Sequence, residues 1–144
     1  IQYFVKQRVR DEGTINSMMD MELVTADFHT KSVVLAFPVK DWQMNPAENL
    51  HGGIIATALD ITMGCISYVS GNAVFTPTIQ MAVNYVGGVS SGDTLLVEGI
   101  CDHAGSRMSQ TRAIEVVDSG SINKASEKLF VNQPSLSRSI QSLE

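Results

Sequence analysis

Apolar positions fall into short runs whose period changes along the chain. Two β-prone runs, residues 18–24 and 32–39, flank the polar stretch 25–31, which predicts a hairpin. Ahead of them, Val5, Val9 and Ile15 are spaced among charges, as in a short leading helix. A loop over 41–49, containing Pro46, leads to residues 54–69, which are almost wholly apolar. Their length and their Ala, Leu and Met content predict a helix rather than a strand. A helix that is apolar nearly all round should be buried nearly all round. Three strand-like runs follow. Residues 78–86 alternate weakly, 94–102 place Leu95, Val97, Gly99 and Cys101 on one parity, and 107–118 carry Met108, Ala113, Ile114, Val116 and Val117. Turn residues at 87–88, 90–93 and 104–106 separate them. Residues 122–132 read either as a further strand or as a helix. Hairpin, one buried helix and an antiparallel meander predict an α+β fold, with a sheet wrapped around one long helix.

Composition narrows the function classes. A chain of 144 residues suits one domain, and 44% hydrophobic against 17% charged residues is the make-up of a packed core. The formal charge of −5 argues against a general nucleic-acid binder, which needs a basic face. Cys65 and Cys101 lack CxxC spacing, and His29, His51 and His103 are dispersed, so no metal and no cofactor is expected. Two plain buried or half-buried thiols are expected instead. Residues 1–11 alternate apolar and charged positions and do not read as a secretory signal. The low-charge run 49–92 is interrupted by Asp60 and many glycines, so no membrane span is expected. The expectation is a soluble, cytoplasmic protein.

Asp60 is the most informative residue. Between Glu48 and Asp93 it is the sole Asp, Glu, Lys or Arg, and it stands too deep in the apolar helix to cap it. An unpaired buried carboxylate is costly. Asp60 is therefore either satisfied structurally, by Thr57, Thr62 or backbone, or it acts on a substrate as general base or nucleophile. His51-Gly52-Gly53 opens the same helix. Free N–H groups there suit an oxygen that becomes negative, and glycine admits a ligand close to the backbone. Taken alone, the tripeptide is equally an ordinary loop entering a helix.

Together these residues form Asn45-x5-His51-Gly52-Gly53-x6-Asp60, and the stretch 45–60 resembles the hotdog-fold acyl-CoA thioesterases, in the phenylacetyl-CoA branch that carries His-Gly-Gly. Residues 78–85 resemble that family's next long strand, and Gly92-Asp93-Thr94-Leu95 its next strand entry. The resemblance implies a hotdog fold over residues 1–132 and hydrolysis of an acyl-CoA to a free acid and CoA. By the same resemblance Asp60 is base or nucleophile, the Gly52 N–H polarises the thioester carbonyl, and His51 and Asn45 orient the oxygen, sulfur or water. Thr78 matches a Ser/Thr position near the catalytic carboxylate of a partner subunit. Gly53, Tyr85 and Arg107 are the substrate-binding candidates; of Arg107 and Arg112, the only basic residues between Lys40 and Lys124, Arg107 beside the Gly105 turn is the favoured cation for the CoA phosphates. The family's sites lie at dimer interfaces, and its dimers commonly pair into homotetramers. The chain departs from the pattern after Tyr85, where Val86-Gly87-Gly88-Val89 replaces a bulky or basic residue and a proline.

Residues 120–144 resemble a different family, the helix-turn-helix of LysR-type regulators, in the spacing of Ala125, Leu129, Gln133, Leu136, Ser137, Ile140 and Leu143. Three acidic and three basic residues between 118 and 144 supply little attraction for phosphates, so nucleic-acid binding is not expected. Lys124 to Asn132 is instead expected to add an edge strand to the sheet, with 133–144 as a tail. The alternative is a non-catalytic acyl-CoA-binding domain that regulates transcription through this segment.

Overall fold

The computed structural model describes residues 2–8, 12–71, 76–85 and 87–118. Two short helices lead, α1 (Gln2–Arg8) and α2 (Ile15–Met18). The hairpin of β1 (Glu22–Asp27) and β2 (Ser32–Pro38) follows. Its turn is held by the Asp27 carboxylate, which accepts from the His29 and Thr30 amides at 2.7 and 3.3 Å. The same two amides pull the Asp27 carboxyl below its usual value. Helix α3 (Gly52–Ser70) comes next, then β3 (Thr94–Ala104) and β4 (Ser109–Asp118). The strands form one antiparallel sheet in the order β1-β2-β3-β4.

The expected parity of β3 holds. Val33, Leu35 and Phe37 of β2 stand beside Gly99, Val97 and Leu95 of β3, and this face packs on α3 through Ile55, Ala58, Leu59, Cys65 and Ile66. Gly99 is the point of closest approach. A Cβ there would lie 2.9 Å from Thr62 Cγ2 and 3.2 Å from the Thr62 carbonyl oxygen, so the absence of a side chain lets the helix settle on the sheet. Cys65 and Cys101 are buried thiols, as expected. On the opposite face of the sheet Val24, Ala36 and Val116 gather with Leu96, and Glu98, two residues further along β3 between Val34 and Ile114, is also buried. Burial raises the Glu98 carboxyl above its usual value, and nearby Arg112 opposes that.

Three expectations need correction. The helix is not buried all round. A single sheet layer covers one stripe, while Gly53, Thr57, Asp60 and Gly64, at helical spacing along another side, are exposed or half-buried. By length and composition α3 is apolar enough to cross a membrane, yet its inner stripe packs against β2, β3 and β4. Over its described residues, 78–85, the strand expected over 78–86 is not formed. Residues 77–80 are all exposed, Met81 is half-buried and Val83 packs on the core, and the segment 76–85 carries no ladder. It runs back along α3 instead: the Thr76, Thr78 and Tyr85 hydroxyls bond Gly64, Asp60 and Gly52 in turn. Hydroxyls at both ends tie the segment to the helix rather than to the β4 edge. The third correction concerns Thr78 and is given with the site. The strand or helix expected over 122–132 and the tail 133–144 lie outside the described residues.

Candidate functional site

The entrance to α3 is fixed by its neighbours. Gln43, in a 3-10 turn at Asp41–Gln43, is buried; its side chain accepts from Lys40 N at 2.9 Å, and its carbonyl accepts from His51 N at 2.9 Å. Leu50 N bonds Val89 O at 2.7 Å. Between them Asn45 builds a turn: its Oδ1 accepts from Ala47 N and Asn49 N at 2.9 and 3.2 Å. The Asn45 carbonyl oxygen is thus committed to the loop, and its Nδ2 donor has no partner among the described residues.

His51 is the N-cap of α3. Its Nδ1 accepts from Gly53 N at 3.0 Å, which assigns the ring proton to Nε2. The two glycine amides therefore differ. Gly53 N–H is occupied, whereas Gly52 N–H has no partner among the described residues. Tyr85 lies against the same point: its hydroxyl donates to Gly52 O at 3.1 Å, and a Cβ on Gly52 would meet its ring at 3.3 Å.

Asp60 stands on the uncovered side of α3, half-buried, with Thr78 Oγ1 donating to its Oδ1 at 2.5 Å. Its second oxygen has no partner among the described residues. The resemblance placed Thr78 beside a partner's carboxylate. The structure places it beside the Asp60 of its own chain, because 76–85 doubles back along α3. Gly52 and Asp60 are eight residues apart on one helix, about 12 Å along its axis.

Arg107 is not brought to these residues within one chain. It is exposed in the turn between β3 and β4, and the adjacent Ser109 hydroxyl bonds Ser67 near the other end of α3, about 22 Å along the axis from Gly52. Arg112 is engaged by Asp102 at 3.1 Å, while Arg107 has no ion pair among the described residues. The Tyr85 ring on Gly52 and the His51 cap escaped sequence reasoning; a histidine before two helix-opening glycines was the one signal for the cap.

Comparison with known proteins places this arrangement. The family model for the thioesterase superfamily matches residues 47–121, just over half of the chain, from the turn before His51 through β4. The chain belongs to the thioesterase superfamily. Solved structures agree on the fold. The Escherichia coli PaaI protein from the phenylacetic acid degradation operon is 14% identical with a TM-score of 0.65, over 81% of each chain. A hypothetical thioesterase from Streptococcus pneumoniae, solved with coenzyme A, is 24% identical with a TM-score of 0.62, over 69% of this chain and 75% of that one. A Streptococcus mutans protein bound to acetyl CoA is 25% identical with a TM-score of 0.54, over 67% and 86%. No curated protein matches the chain. The sheet and single long helix are the hotdog fold of this thioesterase superfamily member. A second family model, the helix-turn-helix of lysR-family bacterial regulatory proteins, matches residues 112–144. Within that match residues 112–118 are the end of β4, paired with β3.

Proposed function

We propose that the chain is an acyl-CoA thioester hydrolase whose site is completed by a second copy of itself. The observation that carries this is the pairing of a half-exposed carboxylate, held by the Thr78 hydroxyl, with an unpartnered Gly52 N–H on the same helix. A base and an oxyanion donor must each come within about 3 Å of the reacting group. With about 12 Å of helix between them, Asp60 and Gly52 of one chain do not serve one carbonyl. Asp60 of one copy and Gly52 of another do, if two α3 helices meet along the stripe that the sheet leaves uncovered. That is the homodimer, and two such dimers would pair into the tetramer.

The reaction follows from the chemistry of these groups. Water attacks the thioester carbon as Asp60 takes its proton, or Asp60 attacks directly and water then opens the mixed anhydride. In both routes the carbonyl oxygen gains charge facing the Gly52 N–H, with the Asn45 Nδ2 and the His51 ring nearby in sequence. The C–S bond breaks, and CoA leaves as a thiol once its sulfur is protonated. Arg107, a cation without an ion pair among the described residues, is assigned to the CoA phosphates of a substrate bound across copies. Coenzyme A and acetyl CoA in two of the similar structures support this ligand class.

The test is hydrolysis of short-chain, medium-chain and aryl acyl-CoAs by wild type and Asp60→Asn. Turnover falling by about three orders of magnitude with KM largely kept supports the reading; a near-normal Asp60→Asn rate sinks it. The helix-turn-helix match favours a second reading, an acyl-CoA-responsive DNA binder. Salt-dependent binding to duplex DNA without hydrolysis would select it.

A further inference from the structure

The first two peptide groups of α3 are held very differently. The peptide between Gly52 and Gly53 is gripped at both ends. Its carbonyl, Gly52 O, accepts from the Tyr85 hydroxyl at 3.1 Å, and its N–H, on Gly53, donates to His51 Nδ1 at 3.0 Å. The peptide before it is held at one end only: its carbonyl, His51 O, accepts from Ile54 N at 2.8 Å and Ile55 N at 3.2 Å, while its N–H, on Gly52, has no partner among the described residues. The Tyr85 ring also lies over the Gly52 Cα, close enough that a Cβ would meet Cε1 at 3.3 Å and Cζ at 3.4 Å. Gly52 has no left-handed φ, so a side chain there would meet this ring closely rather than strain the backbone.

A hydrogen-bond donor awaiting developing charge is useful when its direction is set beforehand. Glycine is the residue least able to set its own direction, because it has the widest choice of backbone angles. Here the helix holds the His51 carbonyl on one side of the glycine, and two side chains hold the peptide on its other side. One is sequence-adjacent, the other 33 residues away.

We propose that Tyr85 is a positioning residue: its hydroxyl and ring, with the His51 cap, clamp the 52–53 peptide and so fix the direction of the Gly52 N–H. Tyr85 acts through Gly52 and does not itself touch the reacting atoms, which differs from a substrate-binding role. The catalytic consequence rests on the hydrolase reading above, while the clamp itself does not.

The experiment compares wild type with Tyr85→Phe, which keeps the ring and removes the hydroxyl, and Tyr85→Ala, which removes both. Steady-state kinetics use the acyl-CoA that wild type turns over best, and amide hydrogen exchange at Gly53 is followed by NMR on the full chain. The expected result for Tyr85→Phe is a kcat lowered about fivefold with KM within about twofold, and faster Gly53 exchange. Tyr85→Ala loses more kcat, and Gly52→Ala, poorly active alone, recovers part of its loss when combined with it. A rise in KM with kcat unchanged makes Tyr85 a substrate contact and overturns the positioning role. An unchanged Gly53 exchange rate in Tyr85→Phe overturns the clamp whatever the kinetics. Should wild type hydrolyse no acyl-CoA, the hydrolase reading falls, and Gly53 exchange still decides the clamp. Should Tyr85→Ala fail to fold, Tyr85→Phe carries the test.

Discussion

Thr78 and Asp60, 18 residues apart in one chain, are joined hydroxyl to carboxylate at 2.5 Å. The contact holds one carboxylate oxygen and leaves the other without a partner among the described residues, so the free oxygen has a defined direction. Removing the donor while keeping the shape should misplace that oxygen. Thr78→Val is expected to lower kcat on acyl-CoA about tenfold, and Thr78→Ser to stay near wild type. Steady-state rates of the two variants check this; equal rates would mean that the hydroxyl does not serve the carboxylate.

The contact of Gly99 with Thr62 makes a stability prediction. An added methyl at Gly99 meets Thr62 Cγ2 at 2.9 Å and, less yieldingly, the Thr62 backbone oxygen at 3.2 Å. Gly99→Ala should destabilise the fold by about 1–3 kcal/mol through overpacking. Thr62→Ser, which removes the methyl but keeps the hydroxyl bonded to Ala58 O, should recover part of that loss. Urea unfolding of the two single variants and the double variant measures the coupling.

His51 lends itself to separating structure from chemistry. Its ring caps α3 at Gly53 N, so His51→Ala should cost about 1 kcal/mol of stability. Asparagine is a strong N-cap, so His51→Asn should regain stability. If the ring also orients substrate, His51→Asn stays slow although it melts like wild type. Thermal melts and kcat on the same samples distinguish the two roles.

Glu98 sets a pH dependence. Burial raises its folded-state carboxyl above the unfolded value, so the folded chain binds its proton more tightly. Stability from this group is therefore full below the unfolded pKa, falls as pH rises between the unfolded and folded values, and is flat above them. Burial raises Glu115 as well and adds in the same sense. Glu98→Gln should increase the melting temperature at neutral pH and flatten its dependence across the mildly acidic range. An unchanged profile would mean that the charged carboxylate is already well solvated.

What the sequence made legible is what short-range pattern controls. The length and the Ala, Leu and Met content of residues 54–69 yielded α3 to within two residues, and the parity of 95, 97, 99 and 101 named the inner face of β3. Asp60 was conspicuous because nothing else near it is charged. The failures have a common physical cause, since each depends on what lies across space. The weak alternation in 78–85 does not tell whether a neighbouring edge accepts the backbone. Apolar content in α3 does not tell which side its own sheet covers. The Asn45 side chain reads like a site residue, yet its oxygen is spent within its own turn. Contacts such as Tyr85 with Gly52 span 33 residues and leave no local periodicity to detect.

The register of β4 has a practical consequence. Asp118 stands opposite Thr94, and Thr94 opposite Pro38. From Pro38 the chain needs only a few residues to reach Gln43, whose carbonyl holds His51. Ser109, where β4 begins, is at the other extremity, beside Ser67. Asp118 therefore sits at the end of the sheet nearest the helix mouth, so a fluorophore attached to its side-chain position, rather than near Ser109, doubles as a reporter, or an obstruction, of ligand entry.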